Sequence, residues 1–445
     1  MIVTTGTEHL KRVLKPVHLW AIAVGLVISG EYFGWNLGWA VSGTVGFLIA
    51  TLIVTLMYIT FIFSYTELTA SIPHAGGAFA YAYRAMGPFG GLIAGYATLI
   101  DFLFATPAIA FALGAYLHFL FPWMSVLYSA LFFNVVFISI NILGIKESAV
   151  FSVFITVLAV AELLLFMGVV APYFKMHNFL NTPMPFGWPG IFAALPYAVW
   201  FYLAIEGVAM VAEEINDPKR NIPKGYISGL ATLIFLALGV MIFTGGIADW
   251  HKFSNLDYPL PAAISEALGA KNSLTRIFAG IGLFGLIASF HGTILASSRQ
   301  VFAMARSGYL PRFLSGVNHK FKTPHWALLA GGAISFIALF TGTTGQVVII
   351  SVMGAVLMYM MGMISLFILR KKEPALERPF VSPFYPVFPA IALFISFIIL
   401  VTMIYYNMRL SVYFFAGLGV IIIVFVLLGK HKLDLTEDYM TRPII

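Results

Sequence analysis

The sequence predicts an all-α integral membrane protein with twelve transmembrane helices, and three observations support this fold class. The 445 residues are 60% hydrophobic and only 10% charged, which is more apolar surface than a soluble domain can bury. The chain contains twelve apolar stretches of about 20 residues, the length that a helix needs to cross a bilayer. Two of these stretches are interrupted by small residues beside a carboxylate, at corresponding places in two halves of the chain.

The twelve stretches follow one another with short polar connections. They comprise residues 17–41, 44–70, 90–117, 122–142, 148–171, 189–213, 224–247, 275–303, 325–341, 346–369, 384–406 and 410–429. Because no connection is long enough for a second folded domain, we expect residues 1–445 to form a single transmembrane domain. The matched interruptions predict an inverted repeat of five plus five helices over 17–171 and 189–369, with 384–429 adding two helices.

Basic residues indicate the orientation of the twelve stretches. When the N-terminus is placed in the cytoplasm, twenty of the 25 Lys and Arg residues fall on the cytoplasmic side. The other five are Lys175, Lys252, Lys271, Arg276 and Arg409. This asymmetry predicts a multi-pass protein of the cell (inner) membrane with both termini in the cytoplasm. The bilayer also accounts for the net charge of +7, and no nucleic-acid-binding motif accompanies it.

The first interruption is Ile28-Ser29-Gly30-Glu31 in the first stretch. A carboxylate near the bilayer midplane is costly unless a partner neutralises it, and no Lys or Arg lies at a similar depth. Unwinding here would free amides and carbonyls around Ile28, Ser29 and Gly30 beside charged half-helix ends. Trp35, one turn after Glu31, offers its ring face to a cation. These residues predict a binding site for a positively charged ligand.

Close helix packing is the alternative explanation for the small residues of this stretch. Gly30, Gly34 and Gly38 recur every four residues and share one helix face, as in small-xxx-small packing. For Gly34 and Gly38, close packing and a binding site are equally good explanations. It does not account for Ser29 or Glu31.

The second interruption lies in the sixth stretch and again combines small residues with an acid. The aromatic residues Trp200, Phe201 and Tyr202 are candidates for a lid over a small ligand, with core packing as the alternative. The break itself is Ala204-Ile205-Glu206-Gly207. Glu206 is a candidate for lining the cavity or for holding the break together by accepting backbone hydrogen bonds.

Asp101, Glu162 and His291 are further titratable residues, each well inside an apolar stretch. Asp101 is roughly 16 Å into the third stretch at 1.5 Å per residue, and we expect it to help neutralise a cationic ligand. Glu162 and His291 are candidates for carrying a coupling proton, with packing as the alternative for His291. Both H+ and Na+ stay open as the coupling ion. We expect no cofactor and no metal site, because the chain has no Cys and no cluster of His and Asp.

Three motifs occupy the predicted cytoplasmic loops in order. They are Pro73-His74-Ala75-Gly76-Gly77-Ala78-Phe79-Ala80-Tyr81 after the second stretch, Glu213-Glu214-Ile215-Asn216-Asp217-Pro218-Lys219-Arg220-Asn221-Ile222-Pro223 after the sixth, and Ser298-Arg299-Gln300-Val301-Phe302-Ala303-Met304-Ala305-Arg306 at the end of the eighth. Their charges predict ion pairs that hold one conformation, with simple anchoring of the topology as the alternative.

With these motifs and the second interruption, the chain resembles the amino acid–polyamine–organocation transporter superfamily over nearly its whole length. Within that superfamily it is most similar to the ethanolamine permeases, through residues 25–35 and 204–210. The resemblance implies a leucine-transporter-type fold with discontinuous helices 1 and 6. It also implies alternating access around a site at the membrane midplane.

The chain departs from the superfamily pattern at two places. Relatives that carry amino acids have a Gly-Ser-Gly-like stretch in helix 1, where free amides hold the substrate carboxylate. Ser29-Gly30-Glu31 puts an acid beside that cradle, which disfavours a carboxylate ligand and favours an ammonium. Many relatives also carry a Lys in helix 5 that takes the place of a sodium ion, and Ala159 stands at that position here.

We therefore expect a secondary active transporter, and not an enzyme, that imports ethanolamine or a closely related small amine. Glu31, Asp101 or both would neutralise the ammonium. A transporter or exchanger of amino acids, γ-aminobutyrate or polyamines is the nearest alternative. An enzyme acting on lipid head groups would need a nucleophile–base pair or a metal motif, and the sequence contains neither. A channel or a nutrient sensor is a further alternative.

Overall fold

The computed structural model describes residues 14–144, 149–269, 272–318 and 320–429. Within these ranges the chain is all-helical, as predicted, apart from one isolated backbone pairing between Leu14 and Ile215. The termini that the charge pattern assigns to the cytoplasm lie outside the described residues before Leu14 and after Gly429. The same holds for two basic residues of the charge pattern, Lys146 and Lys271.

Fifteen α-helices follow one another along the described chain. They are α1 (Pro16–Val27), α2 (Ser29–Tyr32), α3 (Trp39–Ser71), α4 (Ala78–Leu120), α5 (Val126–Ile142), α6 (Ala149–Val170), α7 (Met176–Phe179), α8 (Gly187–Trp200), α9 (Pro218–Ile247), α10 (Pro259–Leu268), α11 (Ser273–Arg306), α12 (His325–Thr341), α13 (Thr344–Lys372), α14 (Val387–Tyr406) and α15 (Met408–Val424). A 3-10 helix, Ile205–Glu214, continues α8, and we refer to residues 187–214 together as the broken helix.

Nine helical segments of the described residues are long and apolar enough to cross a membrane. Three shorter apolar helices, α1, α5 and α12, coincide with the first, fourth and ninth predicted stretches. Large apolar side chains such as Phe132, Phe340 and Phe394 are more than 60% exposed, which is expected of surfaces that face lipid. The count of twelve spans and the division into two five-helix repeats and an extra pair stay predictions.

The packing of α4 against α13 determines where Asp101 lies. Gly354 of α13 approaches α4 so closely that a Cβ atom there would be 2.5 Å from the carbonyl oxygen of Ala97 and 2.6 Å from the backbone nitrogen of Asp101. Only a residue without a side chain permits this contact. The turn of α4 that carries Asp101 is therefore pressed against α13, and Asp101 is completely buried.

Candidate functional site

The first interruption is narrower than the sequence predicts. Ile28 separates α1 from α2 but keeps helical backbone angles, φ −58° and ψ −22°. The backbone N–H of Glu31 donates to the carbonyl oxygen of Ile28 at 3.0 Å, so the hydrogen bond spans three residues instead of four. The chain leaves the helix only at Phe33 and Gly34, where Gly34 has φ +88°. The expected unwinding from Ile28 to Gly30 is wrong, and one tightened turn takes its place.

Ser289 of α11 satisfies the backbone at this turn. Its hydroxyl donates to the carbonyl oxygen of Leu26 at 2.6 Å and lies 2.7 Å from the hydroxyl of Ser29. A side chain can replace a lost helical partner in this way, which explains why the turn does not open further. The sequence alone does not indicate Ser289, because it lies 260 positions from Ser29 and no local pattern marks it.

The second interruption is a complete break. α8 ends at Trp200, and the 3-10 helix begins at Ile205. Between them Ala204 adopts the left-handed conformation, with φ +77°, which costs a residue with a side chain about 1–2 kcal/mol. Such strain persists where the surrounding packing imposes it, and it is common at functional sites. The predicted interruption of the broken helix is thus confirmed.

The two interruptions touch each other. A Cβ atom at Gly30 would lie 2.4 Å from the carbonyl oxygen of Trp200, and one at Gly34 would lie 2.6 Å from its indole nitrogen. That indole N–H donates to the carbonyl oxygen of Phe33 at 3.0 Å. Trp200 therefore joins the breaks of two helices that are far apart in sequence, and Gly30 and Gly34 make this contact possible.

Glu31 is completely buried at the contact between the two breaks. Neither oxygen of its carboxyl group has a hydrogen-bonding partner in the described part of the chain. The phenol of Tyr202 interacts with it electrostatically, whereas no Lys or Arg of the described residues does. Burying an ionised carboxylate without a partner is strongly unfavourable. The position therefore favours a cation or a proton beside Glu31.

The aromatic residues of the two interruptions divide between two environments. Trp35 stacks on Phe201 with ring centroids 5.5 Å apart, and its indole N–H donates to the carbonyl oxygen of Glu31 at 3.0 Å. Tyr202 instead faces α3, where its hydroxyl lies 2.7 Å from that of Thr55. Trp35 and Phe201 thus form one wall close to Glu31, while the hydroxyl of Tyr202 is engaged elsewhere.

The acid that Asp101 meets is Glu206, and the two buried carboxyl groups interact electrostatically. Ser351 of α13 donates to Oδ1 of Asp101 at 3.2 Å. Tyr359, also of α13, donates to Oε2 of Glu206 at 3.3 Å. Both acids are thus held against α13, and the sequence indicates each acid but not that they lie together.

Glu162 and His291 lie in separate places. Oε2 of Glu162 accepts a hydrogen bond of 2.6 Å from the hydroxyl of Tyr32, the residue after Glu31. Nδ1 of His291 lies 3.1 Å from the side-chain nitrogen of Asn141 in α5. Glu162 is therefore connected to the first interruption, while His291 belongs to the contact between α11 and α5.

The three loop motifs come together at the predicted cytoplasmic end. The backbone N–H of Ala75 donates to Glu213 at 3.0 Å, and Arg299 lies 3.7 Å from Glu214. Leu14, which precedes α1, pairs with the backbone around Ile215. The start of α1 and the end of the broken helix are therefore tied together at this end by backbone hydrogen bonds, and Arg299 and Glu214 form one of the predicted ion pairs. That these pairs hold one conformation stays a prediction.

The opposite end is covered by the segment between α9 and α11. The side-chain amide of Asn36 donates to the carbonyl oxygens of Phe253 and Leu256 at 2.6 and 2.8 Å. Thr344 at the start of α13 donates to Asp257 at 2.8 Å. Since contacts close both ends, Glu31 and the acid pair are enclosed between them.

Comparisons with known proteins give a family match along most of the chain. A family model described as amino acid permease matches residues 14–428. The chain is 26% identical to a branched-chain amino acid permease of Bacillus subtilis, with 89% of each protein covered. It is 28% identical to a methylthioribose transporter of the same organism, covering 74% of this chain and 75% of the relative. It is 28% identical to a vacuolar cationic amino acid transporter of Arabidopsis thaliana, covering 85% of this chain and 63% of the relative.

Proposed function

This chain belongs to the amino acid permease family, within the amino acid–polyamine–organocation superfamily, and from that premise we propose that it imports ethanolamine or a closely related small amine by alternating access. The family and its apolar helices make it a multi-pass membrane protein with a transport function. The family alone does not specify the substrate. The names of its relatives cover branched-chain amino acids, cationic amino acids and methylthioribose.

The unpartnered, fully buried carboxyl group of Glu31 is the observation that carries the proposal. A primary ammonium has a pKa near 10 in water, so an amine such as ethanolamine arrives as a cation at neutral pH. Its charge would neutralise Glu31, and its N–H groups would donate to the two free oxygens. A substrate carboxylate at the same place would be repelled, which supports an amine without a carboxylate.

The remaining groups around Glu31 suit a short amino alcohol. The hydroxyl groups of Ser29 and Ser289, 2.7 Å apart, would exchange hydrogen bonds with the hydroxyl of the substrate. Trp35 and Phe201 would cover its two carbon atoms, and a cation beside an aromatic face gains further attraction. A small substrate is also in keeping with the close contact of the two breaks at Gly30 and Trp200.

The two interruptions would act as hinges for alternating access. Outward opening would release the contacts of Asn36 with the segment after α9. Inward opening would release the pairing of Leu14 with the end of the broken helix and the contact between Arg299 and Glu214. The substrate must bind the closed form differently from the open forms for this cycle to run.

Uptake of labelled ethanolamine into liposomes that contain the purified protein tests the proposal. In Glu31→Gln, which keeps the side-chain shape but removes the charge, we expect the apparent affinity to fall at least about 30-fold, equal to about 2 kcal/mol. Glu377→Gln is the matched control, because Glu377 is exposed and pairs within the described chain with the exposed Lys219. Ethanolamine uptake by Glu31→Gln at the wild-type level would exclude Glu31 from the mechanism.

Transport of an amino acid, γ-aminobutyrate or a polyamine is the second candidate function, and the names of the relatives favour it. Competition of unlabelled compounds against uptake of labelled ethanolamine distinguishes the two candidate functions. Inhibition by free amino acids but not by small amines would replace the ethanolamine proposal. Inhibition by amines that lack a carboxylate supports it.

A further inference from the structure

Asp101 and Glu206 form a buried acid pair that the proposed substrate site does not use. Both side chains are at most 2% exposed, one in α4 and the other at the start of the 3-10 helix. One oxygen of each is held by α13, through Ser351 and Tyr359. The other oxygens, Oδ2 and Oε1, have no hydrogen-bonding partner in the described chain.

Asp101 and Glu206 interact electrostatically with each other inside the protein. Two carboxylates side by side and away from water are strongly unfavourable. A proton on one of them lets its O–H donate to the other carboxylate and leaves the pair a single negative charge. Enclosure therefore favours a proton on the pair, and contact with water allows its release.

The groups that face this pair are uncharged. They are the phenols of Tyr58, Tyr65, Tyr226 and Tyr359, from α3, α9 and α13. No Lys, Arg or His of the described residues interacts with either carboxyl group. Nothing else in this part of the chain therefore takes the place of the proton.

Hydrogen bonds connect the acid pair to both sides of the broken helix. Tyr359, which donates to Glu206, has its hydroxyl 2.8 Å from that of Tyr58. Because Tyr359 gives its one proton to Glu206, Tyr58 shares its own proton between Tyr359 and the carbonyl oxygen of Val199, which is 3.3 Å away. Val199 precedes the left-handed Ala204 and Glu206 follows it. A movement of one half of the broken helix against the other thus changes the contacts of the acid pair.

We propose that Asp101 and Glu206 together bind the proton that drives transport, an inference that rests on the proposed transport function for its physiological role. The proton comes from the outer solution and forms an O–H bond on one of the two carboxyl groups. It stays there while both ends are closed. When the inner half of the broken helix moves and water reaches Glu206, that O–H bond breaks and the proton passes to water on the cytoplasmic side.

Infrared spectroscopy of the purified protein tests the pair without any substrate. The C=O stretch of a protonated carboxyl group is recorded as the pH is varied, for the wild type, Asp101→Asn and Glu206→Gln. We expect either single variant to alter the same pH-dependent component of the spectrum, while Glu377→Gln leaves it unchanged. If the two variants alter different components, or none, the shared proton is disproved. Thermal unfolding of each variant verifies that it is folded.

Accumulation in liposomes tests the coupling. With the membrane potential set to zero and the outside one pH unit more acidic, symport of one proton per ethanolamine concentrates it about tenfold inside. In Asp101→Asn and in Glu206→Gln, the ethanolamine concentrations inside and outside are expected to become equal. Tenfold accumulation by both variants would overturn the proposal and leave ethanolamine transport intact. If the wild type shows the shared proton but takes up no ethanolamine, the proposal that ethanolamine is the substrate is overturned instead.

Discussion

Gly30→Ala is the sharpest test of the contact between the two interruptions. A Cβ atom added at this position would lie 2.4 Å from the carbonyl oxygen of Trp200, whereas ordinary van der Waals contact begins at 3.4 Å. The two breaks must therefore separate by roughly 1 Å, and overpacking of this kind costs about 1–3 kcal/mol. If only the closed form carries the strain, its population falls about 5- to 150-fold relative to forms in which the breaks have separated.

Gly168→Ala in α6 is the matched control, because a Cβ atom there meets no atom within 4 Å. Alanine in place of a helical glycine is expected to raise stability by about 0.5–1 kcal/mol. Thermal unfolding in detergent and initial uptake rates in liposomes are measured for both variants. We expect lower stability and slower uptake for Gly30→Ala alone. A Gly30→Ala protein that matches Gly168→Ala in both measurements would refute the reasoning.

Two further predictions concern charges outside the substrate site. Arg370→Ala is expected to destabilise the protein by about 1.5–3 kcal/mol, because Glu67, 1% exposed, loses its bidentate partner and keeps Arg378 at 3.3 Å and the backbone N–H of Ser382 at 2.7 Å. Lys219→Ala removes an exposed pair and is expected to cost less than about 1 kcal/mol in the same denaturation assay. Burial raises the pKa of Asp257 from 3.8 to about 6. Its contribution to stability is therefore complete below about pH 4 and is lost as the pH rises through about 6. Thermal unfolding across this range should show that loss in the wild type and not in Asp257→Asn, and equal pH profiles would contradict it.

Local composition was sufficient to predict that the protein is an all-helical membrane protein and where its broken helix is interrupted. Hydrophobicity acts residue by residue, so long apolar stretches predict membrane helices without knowledge of their neighbours. Ala204 begins the predicted break Ala204-Ile205-Glu206-Gly207, and the structure places a left-handed residue there. The buried acids were also recognised, since a carboxylate inside an apolar stretch stands out wherever it later packs.

The sequence alone overstated the first interruption. Small polar residues around Gly30 indicate weak helix formation, and they predict an open segment. The structure retains the helix there because the hydroxyl of Ser289 satisfies the carbonyl of Leu26, and because the glycines allow Trp200 to pack against the turn. Both stabilising groups come from other helices.

By itself, the sequence determined that this chain is an apolar, all-helical membrane protein with buried acids at interrupted helices. Only the tertiary structure decided what each acid meets: no partner for Glu31, Tyr32 for Glu162, and each other for Asp101 and Glu206. The reason is geometric. The partners lie a hundred or more positions apart, and a helix turned by one residue presents a different side chain, so that only the packing of whole helices selects which groups come within hydrogen-bonding distance.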